Sequence, residues 1–389
     1  MCNRKVIHLM WKNCQKMPIL FIMFNAILIN CSKDFSPIIW PNNHFCNPVP
    51  PDSIPGIKDE WQLSGLYNDN IGYIKTIAIH PEASHVIFAG TAHDFSGNYK
   101  KAYLFRSTNY GTTWDTLDYT FGAASHILYD PSRSNIIYMA RGGSLSKSND
   151  CGATWRDITG DINLAFTRNI FVIAINPVNT NILYAGTEGI FGGALYKSID
   201  GGKNWKKIID KTDSITCIAI DRHDPNIIFV ATAGAGTVLR STNRGEEWEN
   251  TGLENTAIGI HDILIDDNII YALLDYNTRS SIPGIDVDLG VMKSVDDGKT
   301  WSKFNKGLPV ESTFFAHRII KDYNSDDIYI AVRQGSDNGI YKLSTGSATW
   351  RKIGIDWIEE AYSSCDLALC PDGYFLYYGS KGFYRMRLK

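Results

Sequence analysis

An eight-residue pattern with Ser, Asp or Asn, Gly and Trp at offsets 0, 2, 4 and 7 occurs five times in this 389-residue chain. The copies are STNYGTTW (107–114), SNDCGATW (148–155), SIDGGKNW (198–205), STNRGEEW (241–248) and SVDDGKTW (294–301). A sixth copy, ending at Trp350, is one residue short, and near Trp61 only the tryptophan and the apolar alternation after it remain. Seven tryptophans therefore lie in one register, which indicates a chain built from a repeated unit.

The spacing of these tryptophans constrains the fold. Successive copies are 41 to 53 residues apart, which is the length of one four-stranded β-propeller blade. Each unit opens with two apolar strands joined by a Pro, Asn or Asp turn, as in residues 76–91, 172–187 and 217–232. A third strand then leads into the Ser/Asp/Gly turn, and a fourth carries the tryptophan. We call these strands a to d and predict an all-β fold of antiparallel blades.

The two ends of the repeat region hold complementary parts of one unit. The residues after Trp350 contain strands a, b and c but no tryptophan strand. The stretch at Trp61 is a tryptophan strand without the three strands that should precede it. We therefore predict a seven-bladed β-propeller over residues 61–389, closed by pairing of the N-terminal strand with the C-terminal strands.

The first 31 residues differ from the rest. Four basic residues and no acidic residue precede the 13-residue run PILFIMFNAILIN (18–30), which is followed by CSKD. This run is too short to span a bilayer but matches the apolar core of a secretory signal. The stretch LINCS resembles a bacterial lipoprotein box, which implies that Cys31 becomes the lipidated first residue after cleavage. Because Asn30 replaces the usual small residue, plain secretion and an uncleaved anchor stay open.

Composition limits the partners. Residues 32–60 contain six prolines and predict an extended tether. Without residues 1–31 the chain has 34 Lys and Arg against 41 Asp and Glu, a net charge of −7. We expect no nucleic-acid partner, since such a domain carries a basic excess. The absence of a CxxC pair argues against a metal ribbon. We expect no cofactor, no metal, and a monomer anchored by lipid in the bacterial outer membrane, facing the periplasm or the cell surface.

The repeat residues favour a structural role. An Asp or Asn side chain closes a turn by accepting backbone N–H bonds, Gly supplies a positive φ, and Trp fills space between strands. The five acid or amide positions are Asn109, Asp150, Asp200, Asn243 and Asp296. Because two of them are Asn, a metal site is disfavoured. These repeats resemble the Asp-box, or BNR, repeats of sialidases, bacterial xyloglucanases and sortilin-type receptors, which implies that they occupy the c–d turns, away from the functional face.

The similarity over residues 61–389 is to one xyloglucanase-type propeller. Xyloglucanases have two propellers, and each propeller supplies one catalytic Asp. The first of these Asp residues lies in a Gly-Gly-Ala-Tyr-Arg-Trp context. Here PGIKDEW leads to Trp61 and the repeats amount to one propeller, so this pair is not carried over. The Arg-Ile-Pro element of sialidases is absent as well. Photosystem assembly propellers and sortilin are non-enzymatic proteins with related propellers, and a fold alone does not fix function.

The b–c and d–a loops share the end opposite to the boxes, and strand a lines the central channel. Aligning the seven copies of strand a places these residues at one position: Thr76, His126, Val172, Cys217, Asp262, Arg318 and Asp366. His261 and His317 come just before two of them. These side chains predict a polar channel mouth that binds a ligand. The structural alternative is that a wet channel mouth carries polar side chains without any ligand.

Loops at that end supply further candidates. Candidate ligand contacts there are Asp94, Glu188 and Trp357. Glycoside hydrolysis requires two carboxylates about 5 to 10 Å apart. The candidates for such a pair are Asp94, Glu188, Glu359 and Glu360. Candidate stacking platforms for a sugar are Tyr99, Phe166, Phe191, Tyr276 and Trp357.

Three functions stay open at this point. We favour a non-catalytic exported lipoprotein that binds a glycan or a protein at the b–c and d–a loop face. A glycoside hydrolase of xyloglucanase or sialidase type is the alternative. An assembly or scaffold factor is the third, and it would present an apolar loop patch.

We expect Cys31→Ser to move the protein from the membrane fraction to the soluble fraction, because it removes the acylated thiol. Cys46→Ser, in the predicted tether, is the matched control and should stay with the membrane. Fractionation with the mass of the mature N-terminal peptide measures both. Recovery of unmodified Cys31 at the start of a soluble mature protein would refute lipidation.

Overall fold

The computed structural model describes residue 54 and residues 58–67, 72–92, 102–118, 124–164, 169–189, 192–233, 236–254, 258–276, 290–310, 315–333, 338–354 and 366–389. Contacts divide the chain into Met1–Phe45 and Cys46–Lys389, and every described residue belongs to the second unit. The described elements are β-strands. This part of the chain contains no helix of the length and hydropathy that a membrane span requires.

The strands form seven four-stranded antiparallel sheets. They are β1 (Trp61–Tyr67), β2 (Ile74–Ile79), β3 (Ile87–Thr91), β4 (Leu104–Ser107), β5 (Asp115–Asp118), β6 (Ala124–Asp130), β7 (Arg133–Arg141), β8 (Ser144–Ser148), β9 (Arg156–Asp157), β10 (Asn169–Ile175), β11 (Leu183–Glu188), β12 (Gly193–Ser198), β13 (Lys206–Thr212), β14 (Ile215–Ile220), β15 (Ile228–Thr232), β16 (Thr237–Ser241), β17 (Glu249–Glu254), β18 (Ile258–Asp266), β19 (Ile269–Tyr276), β20 (Gly290–Ser294), β21 (Ser302–Lys303), β22 (Phe315–Lys321), β23 (Ile328–Arg333), β24 (Gly339–Leu343), β25 (Arg351–Lys352), β26 (Asp366–Leu369), β27 (Phe375–Gly379) and β28 (Gly382–Arg387).

Each sheet is one blade. Blades 1 to 6 are β2–β5, β6–β9, β10–β13, β14–β17, β18–β21 and β22–β25, and blade 7 is β26–β28 together with β1. The first strands of successive blades contact one another, and β26 contacts β2, so the blades form a closed ring. The all-β, seven-bladed β-propeller predicted from the repeats is confirmed.

Ring closure occurs as predicted, through the N-terminal strand. β1 pairs antiparallel with β28, with Trp61 opposite Met386 and Leu63 opposite Tyr384. The backbone N–H of Asp59 donates to the Arg387 carbonyl at 2.8 Å. Ile54 is buried in the same core as residues of blades 1 and 7. The described residues at the end of the predicted 32–60 tether therefore pack on the propeller.

Each complete box closes its own c–d turn with the same three hydrogen bonds. In the box of Asp296, the Ser294 hydroxyl donates to Asp296 Oδ1 at 2.8 Å, and the Gly298 N–H donates to the Ser294 hydroxyl at 2.9 Å. The Thr300 N–H donates to Asp296 Oδ1 at 2.9 Å. The equivalent bonds are made in the boxes of Asn109, Asp150, Asp200 and Asn243. An Asn oxygen therefore serves as well as an Asp oxygen here.

The glycine of the box is required by packing as well as by φ. The fourth and fifth box residues both have positive φ, 58° at Asp297 and 83° at Gly298. The fourth varies among Tyr, Cys, Gly, Arg and Asp, whereas the fifth is always Gly. A Cβ at Gly298 would lie 3.0 Å from Phe229, and one at Gly152 would lie 2.7 Å from Phe88. Both phenylalanines belong to strand b of the preceding blade, so the glycine lets neighbouring blades approach.

Three of the registered tryptophans join neighbouring blades by hydrogen bonds, whereas the indole N–H of Trp301 donates to Gly298 within its own box. The indole N–H of Trp205 donates to the Ile158 carbonyl at 2.9 Å, and that of Trp350 donates to the Phe304 carbonyl at 2.9 Å. Trp114 reaches Ser64 in the same way at 3.2 Å. Each acceptor stands three residues after the tryptophan of the preceding unit. The repeat period is thus the distance along the chain between residues that touch across a blade interface.

Small residues near the end of strand b bring blades together at the channel. A Cβ at Gly186 would lie 2.5 Å from Ile215, and one at Gly379 would lie 2.5 Å from Ile74. Both isoleucines begin strand a of the next blade and are fully buried. Close packing here fixes the first strands of blades 4 and 1 against the blades that precede them.

We expect Asp296→Ala to lower the melting temperature by a few degrees, because the turn loses its acceptor. Asp296→Asn should stay close to the wild type at pH 7, since Asn109 accepts the same bonds and also donates to the Thr113 hydroxyl at 2.8 Å. Thermal unfolding at pH 7 measures both. An unchanged melting temperature in Asp296→Ala contradicts a structural role for the box.

The same pair of variants carries a pH test. Hydrogen bonds from Thr300 and Ser294 hold the pKa of Asp296 at about 2. Because this folded-state pKa is depressed, the ionised carboxylate stabilises the fold above its unfolded value of about 3.9. That contribution is lost as the pH falls through about 2. Any melting-temperature advantage of the wild type over Asp296→Asn should therefore shrink between pH 5 and pH 2, and a constant difference would contradict this assignment.

Candidate functional site

A cavity of about 170 Å³ opens at the channel end where the first strands of the blades begin. Its walls come from the first strand of all seven blades: Lys75, Ser125, His126, Phe171, Val172, Thr216, His261, His317, Arg318 and Asp366. This end receives the d–a connections and is opposite to the boxes. A cavity of this volume admits a single six-membered ring, so it is a subsite for one group of a larger ligand.

In blades 1 to 6, a β-bulge near the start of strand a places an additional side chain on the cavity wall. The register between strands a and b shifts between Ile74 and Thr76, and again between Ile260 and Asp262. Similar shifts occur in β6, β10, β14 and β22. A bulge redirects the side chain of the extra residue. The residues placed by these shifts are Lys75, Ser125, Phe171, Thr216, His261 and, in β22, His317 with Arg318.

In four blades, the side chain at the aligned position of strand a accepts a hydrogen bond from the backbone of the next blade. The donors and acceptors are Ile127 N–H to Thr76 Oγ1 (3.1 Å), Ile173 N–H to His126 Nδ1 (3.1 Å), Ile319 N–H to Asp262 Oδ2 (2.9 Å) and Ile77 N–H to Asp366 Oδ2 (2.6 Å). Every donor stands one residue after the equivalent position in the next blade. Strand a is the inner edge of its sheet, so these N–H groups have no neighbouring strand to bond.

Two of the bulge residues make the complementary contact. The Ser125 hydroxyl donates to the Ile170 carbonyl at 2.8 Å, and the Thr216 hydroxyl donates to the Ile260 carbonyl. Both acceptors lie near the start of strand a in the next blade. Hydroxyls at the mouth are therefore already used to join blades.

Arg318 lies between two buried carboxylates and faces the cavity. Its Nη1 is 3.6 Å from Asp262 Oδ2, and its Nε is 3.4 Å from Asp366 Oδ1. Each carboxylate also accepts the N–H of the residue after it, and Asp262 accepts from the Cys217 thiol at 3.2 Å. The acid side chains are 6% and 10% exposed, whereas that of Arg318 is 37% exposed. A ligand in the cavity therefore meets the guanidinium more than the acids.

The environment sets the protonation of the wall. Burial raises the pKa of Asp366 to about 6, against the opposing effect of Arg318 and of two backbone N–H bonds. Asp262, and then Asp366, hold the pKa of Arg318 above its usual range. Burial and the nearby Arg318 lower the pKa of His126 to about 3, so its imidazole is neutral at pH 7. Because Nδ1 accepts from Ile173, Nε2 carries the proton and is a donor.

Lys75 and Phe171 complete the wall, and sequence reasoning missed both. The Lys75 ammonium lies 4.5 Å from the centroid of the Phe171 ring. Burial lowers the pKa of Lys75, and the charge of Glu188 opposes this. The alignment selected their neighbours Thr76 and Val172, because a bulge cannot be counted from one sequence. The only signal was that His261 and His317, which were noticed, occupy the same preceding position.

Some of the site residues predicted from the sequence lie in the described part of the chain, and only some of these meet at the cavity. His126, His261, His317, Arg318 and Asp366 share the cavity wall, with the rings of His261 and His317 edge to face at 5.1 Å. Asp262 contacts Arg318, as described above.

The remaining predicted residues contribute less to this cavity or cannot be placed. Glu188 ends β11, where it accepts a weak bond of 3.5 Å from Asn169. Several predicted residues lie outside the described ranges: Cys31, Asp94, Tyr99, Phe166, Phe191, Trp357, Glu359 and Glu360. The side chain of Tyr276 is not described either. In the described ranges, no group of three or more His, Cys, Asp or Glu side chains is placed to hold a metal ion.

The chain is similar in sequence to xyloglucanases, although no family model matches it. It is 26% identical over 197 residues to a probable oligoxyloglucan-reducing end-specific xyloglucanase of Neosartorya fischeri, covering 46% of this chain and 24% of that protein. It is 26% identical over 261 residues to a xyloglucanase of Acetivibrio thermocellus, covering 56% of this chain and 30% of that protein. The chain thus spans about a quarter of the length of the curated relatives it matches.

Solved structures share the fold. An ancestral GH74 enzyme has a TM-score of 0.61 at 16% identity, over 84% of this chain and 45% of that one. YCF48 bound to D1 peptide has a TM-score of 0.59 at 14% identity, over 87% of this chain and all of that one. The extracellular domain of a hybrid two-component system from B. thetaiotaomicron has a TM-score of 0.61 at 12% identity, over 85% of this chain and 40% of that one. The predicted resemblance to xyloglucanase-type propellers is confirmed, and the lipoprotein box stays a prediction.

We expect Thr76→Val to destabilise the protein by about 1 to 3 kcal/mol, because the buried N–H of Ile127 loses its acceptor. Thr76→Ser keeps a hydroxyl at the same position and should retain most of the stability. Urea denaturation of the three proteins measures the difference. Equal stability of the Val and Ser variants would show that this bond does not hold blades 1 and 2 together.

Proposed function

We propose that this protein is a non-catalytic binding propeller that takes a glycan at the mouth of its central channel, on the face of the b–c and d–a loops. One observation carries the proposal. The carboxylates of Asp262 and Asp366 at the mouth accept backbone N–H bonds. The cavity wall also carries hydrogen-bond donors, on Lys75, His126 and Arg318, and the aromatic ring of Phe171.

The exposed chemistry of the mouth matches a sugar. Arg318, Lys75 and the Nε2–H of His126 are donors, and sugar oxygens are acceptors. The ring of Phe171 offers an apolar face on which a pyranose can pack. The donors come from three different blades of a closed ring, so little ordering is needed on binding. The cavity volume suits one sugar ring.

The same geometry argues against hydrolysis at this mouth. A glycosidase needs one carboxylic acid as a proton donor and a second carboxylate across the bond. Backbone N–H groups donate to the oxygens of Asp262 and Asp366 and hold them in the wall. Neither acid then reaches a glycosidic oxygen as a proton donor.

A glycoside hydrolase is the alternative, and two observations favour it. Asp366 is on the cavity wall with its pKa raised by burial to about 6, as in a general acid. The similar curated proteins are named as xyloglucanases. For the location we propose export, supported by the basic start and the 18–30 apolar run.

The test combines a glycan array with a hydrolysis screen on plant, mucin and bacterial-wall polysaccharides. We expect binding without turnover, and a loss of at least fivefold in affinity for Phe171→Ala, which removes the apolar platform. Tyr323→Ala is the matched control, because Tyr323 is 52% exposed and follows strand a at the box end. It should bind as the wild type does.

Three outcomes contradict the proposal. Turnover that Asp366→Asn abolishes in a folded protein would assign a hydrolase. Binding of a protein, with no glycan bound at any concentration tested, would assign the scaffold function. Equal affinities of Phe171→Ala and the wild type would move the glycan away from this mouth.

A further inference from the structure

We infer that the group held in the channel mouth is a carboxylate, so that the glycan is an acidic one built from uronic acids. This inference rests on the proposed glycan-binding function and names its ligand class.

The first argument is the position of Lys75. Its ammonium lies on the cavity wall, over the Phe171 ring, and makes no ion pair with any carboxylate of the described residues. Burial lowers its pKa, so the charged form is held at a cost in free energy. Glu188 acts on Lys75 only as a nearby charge and forms no ion pair with it, so a bound anion supplies the direct partner.

The second argument is the direction of Arg318. Asp262 Oδ2 lies 3.6 Å from Arg318 Nη1, and Asp366 Oδ1 lies 3.4 Å from Arg318 Nε. Both carboxylates also accept hydrogen bonds from backbone N–H groups. The guanidinium is the exposed member of the group. Its planar set of donors matches a carboxylate in two-point geometry.

The third argument is the set of groups around Lys75 and Arg318 in the cavity. His126 adds a neutral N–H from blade 2, between Lys75 of blade 1 and Phe171 of blade 3 along the ring. The cavity has room for one six-membered ring. A uronic acid ring brings both parts, a carboxylate for the donors and a C–H face for the aromatic ring. The whole chain has a net charge of −3, so the attraction for an anion is local to this mouth.

The experiment compares uronic acid trisaccharides with their own methyl esters by calorimetric titration. The probes are the trisaccharides of galacturonate, glucuronate and mannuronate. The ester keeps every sugar hydroxyl, removes the charge and adds one methyl group to each carboxyl. We expect at least one acid to bind tenfold or more tightly than its ester, because charge-assisted hydrogen bonds are about twice as strong as neutral ones.

Lys75→Met is the decisive variant. It replaces the ammonium by an apolar chain of similar length, so the preference for acid over ester should fall at least fivefold. The melting temperature should stay or rise, since a buried charge without an ion pair is removed. Lys299→Met, at an exposed lysine of the blade 5 box, is the control and should keep the preference. Lys75→Gln repeats the test if the Met variant does not fold.

The outcomes separate this inference from the proposed function. Equal binding of acids and esters, or of a neutral glycan alone, overturns the carboxylate inference and leaves glycan binding in place. An acid preference that survives both Lys75 variants also overturns it. Binding of no glycan in the array or in these titrations overturns both.

Discussion

Backbone N–H groups on the innermost strand of each blade have no neighbouring strand to accept them. In this propeller, side chains of the preceding blade accept four of them, at Ile77, Ile127, Ile173 and Ile319. Three of these bonds join residues 47 to 57 positions apart, and the fourth spans 289 positions and closes the ring between blades 7 and 1. The acceptors sit where the channel opens, so the need to satisfy the inner edge decides which mouth residues remain for a ligand.

The polar residues of the mouth therefore fall into two groups. Thr76, Asp262 and Asp366 hold blades together, while Lys75 and Arg318 present their charge to the cavity. His126 belongs to both groups, since one ring nitrogen accepts from the next blade and the other is a donor. An acidic residue at a channel mouth is a poor marker of catalysis when its oxygens are engaged by main-chain N–H groups. A buried cation that makes no described ion pair, such as Lys75, is a better marker of a site, because its charged form is costly to keep.

The box end and the mouth end of the ring are built by different means. At the box end, Ser, Asp or Asn and Gly make the same local bonds in five blades, and three of the tryptophans join blades over one repeat period. At the mouth end, each blade carries a different pair of side chains. This division leaves the scaffold constant while the mouth varies, which fits a fold shared by a GH74 enzyme and by YCF48. Function has to be argued from the mouth.

The sequence by itself determined the blade number, the box turns and the closure of the ring through the strand at Trp61. These features are local or periodic: a turn is closed within eight residues, and the tryptophan register counts the blades. It also grouped Thr76, His126, Asp262, Arg318 and Asp366 at one position, because strand a begins alike in every unit. Only the tertiary structure decided what these residues do. A bulge of one residue brought Lys75 and Phe171 to the wall, and main-chain N–H groups of neighbouring blades engaged the oxygens of Asp262 and Asp366. The bulge left only the weak sequence signal of His261 and His317, and the hydrogen bonds between blades left none, because both depend on how strands distant in sequence pair and pack.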